Sequence, residues 1–148
     1  MNNYSLSYMV GKLTFDLDRA ADQLLQSQVG ISYRRFIFLT VLQHCGTVTQ
    51  HELAVALGYS DPAVSTMLVE LARDGYIQTA KSLEHGRKRL VTITSKGNEV
   101  VAQGRQLLDS HFDQLLVSAG VDAHHYRELT ERLHQALITK MKKEKEGK

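Results

Sequence analysis

The sequence predicts a mainly α-helical fold with one small β-hairpin, an α+β class dominated by helix, and three observations point that way. Apolar residues recur at steps of three and four through most of the 148 residues. The period drops to two only between Tyr76 and Thr94, where β-branched and aromatic side chains gather. Gly30, Gly46, Gly58, Gly75 and Gly120 fall where the helical runs stop, as helix-ending glycines do.

The first helix is read from Leu6, Val10, Leu13, Leu17, Ala20 and Leu24, a stripe on one face that ends near Gln28. Gly30 stops it, and Ser32 caps a second helix from Tyr33 to His44 that carries Phe36, Ile37, Leu39, Val41 and Leu42. Thr49 with Glu52 three residues on is a capping-box pattern, and it starts a short third helix ending at Leu57. Asp61 followed by Pro62 reads as a cap with proline at the first helical position, opening a fourth helix to about Asp74. The hairpin strands are Tyr76 to Lys81 and Arg89 to Thr94, joined by Ser82 to Lys88. A long helix from Ser95 to about Gly120 and a last one capped by Asp122, with Tyr126, Leu129, Leu133, Leu137 and Met141 in step, complete the chain.

Composition narrows the function. The net charge is only +2, but residues 81–96 hold five Lys/Arg against one Asp/Glu, so positive charge concentrates on the hairpin. The basic tail from Lys140 reads as a solvated helix end. The longest nearly apolar run, Phe36 to Leu42, falls far short of the about 20 residues a membrane-spanning helix needs, so no membrane span is expected. Asp16, Asp18 and Asp22 near the start speak against a secretory signal, and a cytoplasmic protein is expected. No phosphate-cradling glycine loop, nucleophile elbow or paired carboxylates are found, so the expectation is a protein that is not an enzyme and needs no cofactor.

The segment Gln50 to Ile77 has the spacing that two crossed helices require. Ala54 is small enough for close approach, Gly58 sits where the turn needs positive φ, and Val64 falls where the second helix plugs back into the first. A hairpin with a basic tip follows directly, which is how a wing reaches a DNA backbone or minor groove. The pattern is that of a winged helix-turn-helix.

At this point the chain resembles the MarR-type transcriptional regulators over nearly its whole length. The likeness is carried by Leu53, Ala54, Leu57, Gly58, Val64, Ser65, Leu71, Asp74, Gly75 and Tyr76, then Arg87 and the run from Leu90 to Gly97. The resemblance implies a homodimeric DNA-binding regulator, often a repressor, modulated by a small aromatic ligand, oxidant or metal. It implies three parts: an N-terminal dimerisation helix over residues 1–30, a DNA-binding unit over 31–96, and C-terminal dimerisation helices over 97–148. Two positions depart from the family pattern, His85 where the wing usually has Asp and Thr66 where the second helix commonly has Arg.

The expected partner is double-stranded DNA carrying a pseudo-palindromic operator, bound by a homodimer. Pro62, Ala63, Ser65 and Thr66 are expected to reach base edges or nearby phosphates, Arg73 to take a phosphate, and Arg87, Lys88 and Arg89 to supply wing contacts. A dimeric protein-interaction module is the rival, motivated by Val69 and Glu70 on the presumed reading face. A metal- or redox-responsive regulator is a variant on the same scaffold. No metal site is expected, because the histidines lack helical zinc spacing; His44, His51 and His111 are those that would have to converge. Cys45, at a helix C-terminus that disfavours thiolate, is read as a buried structural residue, and Tyr33, Phe36 and Phe38 as core.

Overall fold

The computed structural model describes residues 3–84, 86 and 88–147. The elements follow as α1 (Leu6–Gln28), α2 (Tyr33–Cys45), β1 (Val48–Thr49), α3 (Gln50–Leu57), α4 (Asp61–Arg73), β2 (Ile77–Lys81), β3 (Arg89–Ile93), α5 (Ser95–Ala119) and α6 (Ala123–Glu146). Two compact units result, residues 1–108 and 109–148.

Serine and aspartate caps set the helix starts. The Ser5, Ser32 and Asp122 side chains accept from the backbone N–H groups of Tyr8, Arg35 and His125, each filling one of the orphan donors of a first turn. Asp22 of α1 also accepts from the Tyr33 N–H at 2.8 Å, so α1 fixes where α2 begins. The fourth helix starts one residue earlier than its sequence suggests. Ser60, and not Asp61, is the cap, accepting from the Ala63 N–H, and Pro62 therefore stands second in the helix. Proline is tolerated there for the same reason as at the first position, since no intrahelical donor is lost.

The core of the first unit is shared by every element in it. Leu25 of α1, Phe36, Phe38, Leu39 and Leu42 of α2, Leu53 and Ala54 of α3, and Val64, Met67, Leu68 and Leu71 of α4 are buried together with Ile77, Val91, Val100 and Val101. Gln43 of α2 donates to the Asn98 side chain at 2.8 Å and accepts from Arg105 at 3.3 Å, which fixes α2 against the start of α5. The strands order β1-β3-β2, all antiparallel. The sequence pattern showed only the hairpin; β1 is two residues long, pairing Val48 with Val91 and Thr49 with Leu90, and so short a strand has no readable period.

In the second unit α6 buries none of its residues, and Leu129, Leu133, Leu137 and Met141 are all exposed along one stripe. In the first unit, α1 buries only Leu25, while Leu6, Val10, Leu13 and Phe15 are exposed. No helix among the described residues is long and apolar enough to cross a membrane.

Gly97 marks the tightest contact between the hairpin and the helix that follows it. A Cβ at this position would clash with the Tyr76 carbonyl oxygen and stand 2.6 Å from the Ile93 Cγ1. Gly97→Ala is accordingly expected to lower stability by about 1–3 kcal/mol through overpacking, read as a lower urea midpoint. An unchanged midpoint would show that α5 has room to move off the sheet.

Candidate nucleic-acid interface

The site is assembled around α4. Before it, Thr49 and Glu52 form the complete capping box of α3: the Thr49 side chain accepts from the Glu52 N–H, and the Glu52 carboxylate accepts from the Thr49 N–H at 2.8 Å. The Thr49 N–H, and the Thr49 hydroxyl donating to the same carboxylate at 3.0 Å, hold the Glu52 carboxyl below the usual carboxylate range, and the nearby Lys88 and His51 reinforce the effect. Gly58 then turns the chain at φ 67°, a conformation that a side chain would resist.

α4 has two chemically different sides. Val64, Met67, Leu68 and Leu71 are buried, whereas Pro62, Ser65, Thr66, Val69 and Arg73 are exposed, with Ala63 and Glu70 half-buried between them. Thr66 donates its hydroxyl proton to the Pro62 carbonyl at 3.2 Å. While that bond holds, its oxygen faces outward as an acceptor, suited to an exocyclic amine of adenine or cytosine, and its methyl can meet a thymine methyl.

Asp74 gathers the C-terminal end of α4. Its carboxylate accepts from the Arg35 guanidinium of α2 and, at 3.1 Å, from Arg73 Nε. Those two hydrogen bonds, Arg35 first, pull its carboxyl down to about 2. Lys96 donates to the Asp74 backbone carbonyl at 2.7 Å and sits 4.9 Å from the Tyr76 ring centroid, with Arg35 also over that ring at 5.8 Å. The end of α4 and the first residue after its turn are thereby tied to both α2 and α5.

The hairpin continues from this anchor with Ile77 opposite Ile93 and Lys81 opposite Arg89. Like charges directly across a strand pair repel, and both side chains are exposed, so this arrangement favours an anionic partner. The Ser82 N–H donates to the Lys88 carbonyl at 2.8 Å, closing the ladder below the tip. A cleft of about 570 Å³ runs from this base to the starts of α3 and α4, lined by Thr49, Gln50, His51, Glu52, Asp61, Lys88 and Arg89. In it His51 Nδ1 lies 3.3 Å from Asp61 Oδ1.

The residues singled out from sequence fall into groups. Ala63 and Thr66 line one groove with Ser32, Arg34, Arg35, Met67 and Glu70, while Lys88 and Arg89 line the cleft at the wing base. Pro62 and Ser65 lie exposed on α4, and Arg73 at its end is oriented by Asp74. Arg87, like His85, lies outside the described residues. Sequence reasoning missed Lys81, which only strand register places beside Arg89, and Arg34, which only the tertiary fold brings to α4. It also misplaced Cys45, which is exposed because the last turn of α2 runs out beyond the core. Phe36 and Phe38 are buried as expected, and Tyr33, half-buried, packs against the core and stacks on Phe36. Among the described residues no three His, Cys, Asp or Glu side chains gather as a metal site would require.

The chain is similar to several known proteins. Residues 29–88 match the model of the MarR family. An uncharacterized HTH-type transcriptional regulator of Bacillus subtilis, YdgJ, is 28% identical over 93 residues, which is 63% of this chain and 57% of that protein. Apo MarR from E. coli superposes with a TM-score of 0.78 at 23% identity, covering 93% of this chain and 99% of the other. MepR of S. aureus, in its DNA complex, superposes with a TM-score of 0.75 at 25% identity over 93% of this chain and 99% of its own.

The Asp74 hub has a pH signature. Its carboxyl is lower in the folded chain than the ordinary value near 4, so its contribution is fully present above about pH 5 and is lost as pH falls from there through about 2. Urea melts at several pH values are expected to show the parent more stable than Asp74→Asn at pH 5, with the gap closing toward pH 2. A gap independent of pH would mean that Asp74 is not ionically engaged.

Proposed function

With residues 29–88 matching the MarR family model and the fold resembling MarR, we propose that the chain is a sequence-specific, double-stranded-DNA-binding transcriptional regulator acting as a homodimeric repressor. The observation that carries this reading is the bare side of α4 followed at once by a ribbon whose paired Lys81 and Arg89 concentrate positive charge. α4 is the recognition helix: Pro62, Ala63, Ser65 and Thr66 meet base edges or nearby phosphates, and Arg73 takes a phosphate. Arg87, Lys88 and Arg89 hold the wing on the backbone. The likeness to MepR, solved with DNA, supports the same use of the fold.

Residues 31–96 read the DNA in this account, and residues 1–30 and 97–148 bring two copies together. The exposed stripes of α1 and α6 support that assignment, because apolar area left wet forgoes about 25 cal/mol per Å² that a partner would recover. Twofold symmetry then presents two recognition helices to half-sites about 34 Å apart, one turn of B-DNA. A small aromatic effector that favours one arrangement of the two reading units would change DNA affinity by population shift. The setting is cytoplasmic, and binding, not catalysis, is the activity.

DNA binding and oligomeric state test the proposal. Affinity for duplex DNA is expected to fall linearly with salt on logarithmic axes. Arg87→Ala should weaken binding across sequences and make that slope shallower by about one, whereas Thr66→Ala should alter sequence preference. Binding indifferent to salt would favour a protein partner contacting Val69 and Glu70. Light scattering at micromolar concentration should give twice the 16.7 kDa chain mass, and Leu133→Glu should shift the protein toward monomer; a monomeric parent would remove the symmetric reading.

A further inference from the structure

The recognition helix has a shortage of positive charge. Its single cation, Arg73, stands at the C-terminal end and is engaged by Asp74. The N-terminal half that would meet DNA carries Asp61, Ala63, Ser65 and Thr66 and no base at all. Phosphate contacts supply most of the affinity of a DNA-binding protein and fix its register. A cation close to Thr66 must therefore come from another element if this half of the helix is to sit against a backbone.

We infer that Arg34, in the first turn of α2, is that cation, and that it contacts a DNA phosphate beside Thr66. The inference rests on the DNA-binding reading above. Arg34 lines the same groove, about 430 Å³ in volume, as Ala63 and Thr66. Its neighbour Arg35 is committed to Asp74, but among the described residues Arg34 forms no ion pair. Its guanidinium carbon stands 5.1 Å from the centroid of the Tyr59 ring, and Tyr59 belongs to the turn that joins α3 to α4. A guanidinium over an aromatic ring is oriented yet keeps its in-plane N–H donors, the edge that grips a phosphate bidentately. Glu70 lines the groove as well, and its charge disfavours loose capture of a small anion. A phosphate held in place by a duplex docked on α4 is the occupant that fits.

The experiment measures binding of the full-length protein to a random-sequence duplex across a salt series, for the parent, Arg34→Ala, Arg34→Lys and the double variant Arg34→Ala/Thr66→Arg, each checked by thermal melt. Arg34→Ala is expected to lose about tenfold in affinity near physiological salt, irrespective of sequence, and to make the salt slope shallower by about one. Arg34→Lys should keep the slope, and the arginine placed at Thr66 in the double variant should restore it. If the parent binds with a salt slope and Arg34→Ala matches it, or loses affinity with no change of slope, the inference is wrong. Failure of the double variant to recover the slope would place Arg34 away from Thr66 and overturn it equally. A parent that binds no duplex at all would overturn the DNA reading itself, and this inference with it.

Discussion

Everything in the first unit follows from the requirement that α4 be held by one side only. Val64 and Leu71 are completely buried, Met67 and Leu68 nearly so, and at about 1.5–3 kcal/mol per buried side chain these four anchor the helix without help from its outer surface. The outer residues are released from any structural duty. Ser65, Thr66 and Val69 can be chosen for what they meet, because nothing in the fold needs them.

The same constraint explains how the arginines divide. Arg35 and Arg73 are drawn onto Asp74, where they lock the end of α4 to α2 and hold that carboxyl ionised far into acid. Lys96 completes the anchor from α5, and Gly97 lets the helix press against the Tyr76 carbonyl. Apart from Arg73, the exposed cations that flank α4 are Lys81, Lys88 and Arg89 at the base of the ribbon, and Arg34 over the Tyr59 ring. A duplex would meet a weakly charged reading helix flanked by cations on both sides, a division in which base contacts specify and backbone contacts hold.

Much of this was legible in the residues because the signals are local. The capping box of Thr49 and Glu52, the turn at Gly58, and the change of period after Gly75 each act within a few residues, and each stands where the sequence places it. Local signals also misled. Ser60 and Asp61 are both good caps, and Pro62 suits either reading, so the start of α4 could not be resolved to one residue. Contacts remote in sequence were invisible: Arg35 meets Asp74 across 39 positions, and nothing in two adjacent arginines tells which one the fold will use. Cys45 illustrates a third limit, since a helix-terminal residue is buried or bare according to what lies beyond the end of the helix.

Two copies of one reading helix and one cationic ribbon are proposed to address a single duplex together. Selection of bound duplexes from a random pool by the full-length protein tests this most directly. The expected result is enrichment of an inverted repeat whose half-sites are centred about 10 base pairs apart, one turn of the double helix. Enrichment of a lone unrepeated motif, or no enrichment above the starting pool, would contradict it.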